Sequence, residues 1–177
     1  MADELSGKER AAWFRFGVAM STGALLIDQV SKWWVLEIIR LQDRAQIPIA
    51  DFFNLTFVRN HGVSFGMLKA DSDLAVWGLT LLSAAIATFF VWWMRMATRK
   101  LTMIALELVV GGALGNMIDR IRFGGVVDFL DFSALYFPWI FNVADACITV
   151  GATLLVLDYF THGDENAKTP KAAKGES

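Results

Sequence analysis

From Leu74 to Met94 the chain runs without a single charged residue. A stretch of about 20 mostly apolar residues is what an α-helix needs to cross a bilayer at about 1.5 Å rise per residue. Three further stretches follow the same logic: Phe16–Ile27, Leu101–Leu106 continued past Glu107 by Leu108–Ile118, and Phe132–Ala144 continued past Asp145 by Ala146–Leu157. The first is short, but Ala11–Phe14 and Trp33–Leu36 extend it, with Arg15 able to reach the headgroups. Of the 177 residues, 55% are hydrophobic and 19% charged, too apolar for an ordinary soluble domain. The predicted fold is therefore a membrane all-α bundle of four transmembrane helices. Trp13, Trp33, Trp34, Trp92, Trp93 and Trp139 fall near the proposed span ends, where amphipathic rings prefer to sit.

The long connection between the first two spans, about residues 40–73, has a different character. Phe53-Asn54-Leu55-Thr56-Phe57-Val58 alternates as a strand does, and Pro48, Gly62 and Gly66 limit helix there. A small extracytoplasmic β-sheet resting on the bilayer surface is expected between helices 1 and 2. Residues 1–10 read as a polar leader, 11–162 as the membrane domain and 163–177 as a disordered polar tail. The compact connection holding Arg95, Arg99 and Lys100 has no acid, so the positive-inside rule puts it, and both termini, in the cytoplasm. Lys8 and Arg10 before an apolar stretch imitate a signal peptide, but no small-residue cleavage site precedes Asp28-Gln29, so the segment is expected to be retained.

Several functional classes find little support. The single cysteine, Cys147, excludes an intrachain disulfide and has no base partner in sequence. His61 and His162 lack metal-ligand spacing, so no metal site is expected. A net charge of −2 offers nothing to nucleic acid.

What remains are polar residues in apolar surroundings. Asp28 and Lys32, four apart, share a helix face and form either a span-terminating charge pair or part of a site. Asn60-His61-Gly62-Val63-Ser64-Phe65-Gly66 reads either as an ordinary turn or as a loop offering the Asn60 amide. Gly111 and Gly115 allow a helix to approach closely, and Asn116, Asp119 and Arg120 share the face that follows, as a bracing cluster. Glu107 stands alone in its span, either paired across helices or facing a cavity.

Asp128 lies in the extended, mainly apolar segment Gly124–Asp131, where burial would raise its pKa. Asp145 is the costliest. If Pro138 opens the fourth span, Asp145 lies about 10 Å along its axis with Asn142 on the same face, where an ionised aspartate costs about 2.5–3.5 kcal/mol. Two close carboxylates share a proton and can hydrolyse a peptide through activated water. Intramembrane carboxylates also mark ion pathways, and the glycine pair would suit an assembly factor.

Taken in order, these segments resemble one family, the lipoprotein signal peptidases or signal peptidase II. Asp28-Gln29-Val30-Ser31-Lys32 is similar to its D-Q-x-S/T-K segment, Asn60–Gly66 to its N-x-G-x-x-F loop, and Gly111–Arg120 to its G-G-A-x-G-N-x-x-D-R helix end. Val127-Asp128-Phe129 and Phe141-Asn142-Val143-Ala144-Asp145 resemble its two catalytic segments. The five motifs span about residues 15 to 160.

The resemblance implies a bacterial aspartic endopeptidase of the cytoplasmic (inner) membrane, with its active site near the outer face. It would remove signal peptides from diacylglyceryl-modified prolipoproteins, cutting just before the lipid-modified cysteine. Asp128 and Asp145 would be the dyad. Asn60, Gly62, Asn116, Arg120 and Asn142 would line or brace the site, with Asp28, Lys32 and Asp119 supporting it. The implied partners are prolipoprotein substrate and membrane lipid, the antibiotic globomycin is an expected occupant, no cofactor is needed, and the enzyme is expected to be monomeric.

Overall fold

A computed structural model describes residues 6–62 and 73–167, the side chains of 73–75 and 162–167 excepted. The leader residues 1–5, the tail 168–177 and Val63 to Gly66 of the glycine loop lie outside the described residues. Helix α1 (Gly7–Trp33) opens with a capping box in which Ser6 and Glu9 satisfy each other's backbone donors. A wide π-helical turn (Trp34–Ile38) and the short helix α2 (Leu41–Arg44) follow, the latter unforeseen in the sequence. Strands β1 (Gln46–Ala50) and β2 (Phe53–Asn60) form a hairpin. Then come α3 (Asp73–Met96), α4 (Lys100–Phe123), β3 (Val126–Asp131), a 3-10 turn (Ser133–Leu135), β4 (Ile140–Phe141) and α5 (Val143–Ala167).

The molecule is mostly helical. Among the described residues, three helices are long and apolar enough to cross a membrane by length and composition: Val76–Met96, Lys100–Phe123 and Val143–Thr161. Helix α1 is long enough, but Arg10, Arg15, Asp28 and Lys32 lower its hydropathy. Of these, Asp28 and Lys32 are turned into the protein, while Phe16, Val18, Leu26, Ile27 and Val30 are exposed around the helix. Helix α4 is the central member, packed against α1, α3 and α5. Its glycines allow this: a Cβ on Gly111 would meet the Ser21 carbonyl of α1 at 2.7 Å, and one on Gly112 would run into the Ala144 carbonyl of α5.

The sheet is larger than its expected place between the first two long helices. Among the described residues it has four antiparallel strands in the order β1-β2-β3-β4, two of them from the chain between α4 and α5. Val126–Asp131 is apolar enough to pair as a buried strand, and it joins β2 in the register Val58↔Asp128 and Asn60↔Val126. Beneath the sheet, Val35, Leu41, Leu55, Val127 and Phe129 make a buried cluster. A second cluster, Met94, Ala97, Met103 and Leu106 with Trp13 and Phe14, closes the opposite end of the bundle.

Candidate active site

Asp128 sits in the middle of β3 and Asp145 in the first turn of α5. The second placement corrects the expectation that Pro138 opens the last helix with Asp145 well inside it. Ile140 and Phe141 instead pair with β3, and the helix starts only at Val143, capped by Asn142. The Asn142 Oδ1 accepts from the Asp145 backbone N–H at 2.9 Å, the usual way an asparagine satisfies an orphan donor at a helix start. Its Nδ2 donates to Asp128 Oδ1 at 2.6 Å. One buried amide therefore holds the carboxyl of one aspartate and the backbone of the other.

The second Asp128 oxygen, Oδ2, accepts from Asn60 Nδ2 at 3.0 Å. Register explains this contact: Asn60 lies diagonally across from Asp128 on the same face of the β2–β3 pair. Gly62, at φ 84°, donates its N–H to Asn60 Oδ1 at 2.8 Å and so leaves Nδ2 for Asp128. Left-handed backbone there suits a residue without a Cβ. Asp145 Oδ1 accepts from Asn116 Nδ2 at 2.8 Å. Asp128 is almost wholly buried, and burial first, then the charge of Asp145, pushes its pKa up to about 7 against the pull of both amides.

Below this pair lies an ion cluster joining three helices. Lys32 Nζ is 2.9 Å from Asp28 Oδ2 and 2.7 Å from Asp119 Oδ2, all three side chains buried. It also donates to Asn116 Oδ1 at 3.3 Å. Asp28 Oδ1 accepts from the Ala144 N–H at 2.9 Å, a second donor at the start of α5. Asp119 Oδ2 accepts from the Val127 N–H at 3.1 Å, one residue before Asp128. The cluster thus grips the backbone beside each of the two upper aspartates.

Arg120 donates from Nη1 to Ser83 Oγ and to the Asn116 carbonyl, each at 3.3 Å. It lies within electrostatic reach of Asp145, then of Asp119 and Asp128, and lines a cavity of about 170 Å³ with Val76, Trp77, Thr80, Ile121 and Gly124. Among the described residues no group of three His, Cys, Asp or Glu side chains converges as a metal site requires.

Comparison with known proteins falls on the same segments. The family profile described as signal peptidase (SPase) II matches residues 20–161. The chain belongs to the signal peptidase II family. Similar relatives include the lipoprotein signal peptidase of Caulobacter vibrioides, 43% identical over 152 residues, 85% of this chain and 89% of the relative. That of Sphingopyxis alaskensis is 45% identical over 149 residues, 83% and 86% of the two chains. A solved bacterial membrane enzyme superposes with a TM-score of 0.74 at 25% identity, covering 98% of this chain and 99% of that one. A second solved bacterial membrane enzyme gives 0.71 at 26% identity over 89% of this chain.

The signal peptidase II fold gathers every site residue expected from the sequence: Asp28, Lys32, Asn60, Gly62, Asn116, Asp119, Arg120, Asp128, Asn142 and Asp145 form the contiguous arrangement just described. Two partners escaped notice. Gln29 Nε2 donates to Asp28 Oδ2, the Gly115 carbonyl and Asp119 Oδ1 at 3.0–3.2 Å. Its place between Asp28 and Lys32 was the available signal. Ser83, a lone serine in an apolar span, carried none. Glu107 is outside the site, fully buried against Gly17, and neither of its oxygens has a hydrogen-bond partner among the described residues.

Proposed function

We propose that this signal peptidase II is an aspartic endopeptidase in which Asp128 and Asp145 activate one water to cut prolipoproteins just before the diacylglyceryl-modified cysteine. The observation that carries the reading is Asn142, whose amide is bonded to Asp128 on one side and to the Asp145 backbone on the other. Asp128, pushed up to about 7, holds the proton near neutrality. Both of its oxygens already accept an amide hydrogen, so the proton occupies a remaining lone pair.

Asp145 takes a proton from water as the water oxygen bonds to the scissile carbonyl carbon, and Asp128 gives its proton to the carbonyl oxygen. The tetrahedral diol then collapses: the proton on Asp145 passes to the cysteine nitrogen, the C–N bond breaks, and a hydroxyl proton returns to Asp128. No covalent acyl intermediate forms. Asn60, Asn116, Arg120 and Asn142 hold the carboxyls and substrate, while Asp28, Lys32 and Asp119 brace them.

In this reading α1 is the fourth transmembrane helix, its buried polar residues spent on the cluster and its outer face left to lipid. Both termini are cytoplasmic, the compact Arg95–Lys100 connection being the most basic. The sheet end, with the dyad, faces outward across the bacterial inner membrane, where a signal helix inserted from the cytoplasm presents its lipidated cysteine. The enzyme acts as a monomer, and globomycin occupies the same cleft.

The test is to incubate purified protein in phospholipid vesicles with a diacylglyceryl-modified prolipoprotein and follow release of the signal peptide. The native chain cleaves, and Asp128→Asn and Asp145→Asn each lose at least about a hundredfold in turnover, since a general acid or base alone contributes about 10²–10⁴-fold. Native-like cleavage by either variant would remove the dyad assignment.

A further inference from the structure

Between β3 and β4 the chain reads Phe132-Ser133-Ala134-Leu135-Tyr136-Phe137-Pro138-Trp139, without a charge. Leu135 is 58% exposed, Tyr136 98%, Phe137 42% and Trp139 66%. So many large apolar groups on one short loop mark a contact surface. The loop is also built to hold its shape. Ring contacts run from Phe53 to Phe132 (4.8 Å between centroids), on to Phe141 (5.9 Å), to Phe137 (5.8 Å) and to Trp139 (5.2 Å). Ser133 N–H donates to Asp131 Oδ1 at 2.9 Å, and Tyr136 N–H closes the turn on the Ser133 carbonyl at 3.1 Å. Tyr136 itself has φ 60°, a left-handed conformation that a residue with a Cβ rarely adopts.

Placement says what covers this surface. Trp139 lies four residues before Val143, so it is within about 14 Å of the start of a helix long and apolar enough to cross a membrane. Strand β3 begins three residues after the end of α4, another such helix. The pairing Leu130↔Phe141 returns the far end of β3 to the start of α5. Both ends of the excursion are therefore tied to one end of the bundle, and the strand runs along that face. The Phe53–Phe132 contact also sets the β1–β2 tip, with exposed Ile49 and Phe52, beside the loop.

We propose that the Phe132–Trp139 loop is a membrane anchor whose Leu135, Tyr136, Phe137 and Trp139 side chains enter the boundary between headgroups and acyl chains of the adjacent leaflet. Lipid is the occupant because the surface continues the apolar face of a span within four residues. The loop offers no charge to orient a polar protein partner, and its Tyr and Trp are the residue types that favour this boundary. The loop joins the strand of Asp128 to the helix of Asp145, so its seating sets the depth of both. That consequence rests on the proposed dyad, whereas the anchoring does not.

The test places a nitroxide at position 136, as Tyr136→Cys in a Cys147→Ala background, in vesicles of phosphatidylethanolamine and phosphatidylglycerol. Power saturation then compares collisions with oxygen and with a water-soluble nickel chelate. Oxygen collisions dominating, as for a label at exposed Leu81 of α3, is the expected result. Nickel dominating, or protection from both reagents with spin–spin broadening from a second copy, overturns it.

For the depth effect, Leu135→Asn/Trp139→Asn lowers prolipoprotein turnover in vesicles by at least about threefold with an unchanged thermal midpoint, as loss of interfacial side chains weakens seating. Native turnover in that variant removes the depth effect. A wrong dyad would show separately, as activity retained by Asp128→Asn.

Discussion

Asn142 is the residue on which the site turns, and two of its side-chain bonds, to Asp128 and to the Asp145 backbone, have separable consequences. Its Nδ2 stabilises the ionised form of Asp128, while its Oδ1 caps α5. Burial and Asp145 hold Asp128 up near 7, and the amides of Asn60 and Asn142 pull down. If Asp128 must be protonated to act, activity declines as pH rises through about 7. Removing an amide donor raises the Asp128 pKa further, so the alkaline limb of kcat/KM against pH should move to higher pH in Asn60→Ala and Asn142→Ala. Asn142→Ala should also lose about 1 kcal/mol of stability through the missing cap, a loss that Asn60→Ala does not share. The same titration makes the fold pH dependent. Native Asp128 binds its proton more tightly than an unfolded aspartate does, so its contribution to stability falls between about pH 4 and pH 7 and is level above. A limb that moves to lower pH in both variants would contradict this account.

At the scale of elements, the site depends on how close α4 comes to its neighbours. Gly112 faces the Ala144 carbonyl of α5, one residue before Asp145, and a Cβ there has no room. Gly112→Ala should therefore push the start of α5 outward, destabilise the protein by about 1–3 kcal/mol and lower turnover more than substrate affinity. Gly23→Ala, where nothing lies within 4 Å of the new Cβ, should be neutral or slightly stabilising in the same thermal and kinetic assays. Equal effects of the two would remove helix proximity as the cause. These elements were unequally legible. Apolar runs announced α3, α4 and α5, and alternation announced β2, because each signal lies within one segment. The pairing of β3 with β2 links residues 68 positions apart at Asn60 and Asp128, which no local period records. The start of α5 was misplaced because a proline can open a helix or precede a strand, and only the partner strand decides.

For the whole molecule, fold and site are one network centred on Lys32. Its ammonium joins Asp28 of α1 to Asp119 of α4, and those carboxylates accept from Ala144 at the start of α5 and from Val127 in β3. The residue types were visible in the sequence, and their shared helix faces suggested bracing. What could not be seen was that each carboxylate ends on a backbone N–H beside Asp128 or Asp145, since that depends on three helices and a sheet meeting. Such a cluster is weak evidence of stability as an intact unit, but losing its cation leaves two buried carboxylates without compensation. Lys32→Met should cost about 3–5 kcal/mol in thermal unfolding measured in detergent. The triple variant Lys32→Met/Asp28→Asn/Asp119→Asn, which removes the uncompensated charges, should recover much of that stability. Its turnover should stay low, because neutral amides grip the Ala144 and Val127 N–H groups less firmly and the proposed dyad of Asp128 and Asp145 loosens. Full turnover in the triple variant would mean that the charged cluster serves the fold alone; failure to recover stability would mean that packing around Lys32, not charge, carries its weight.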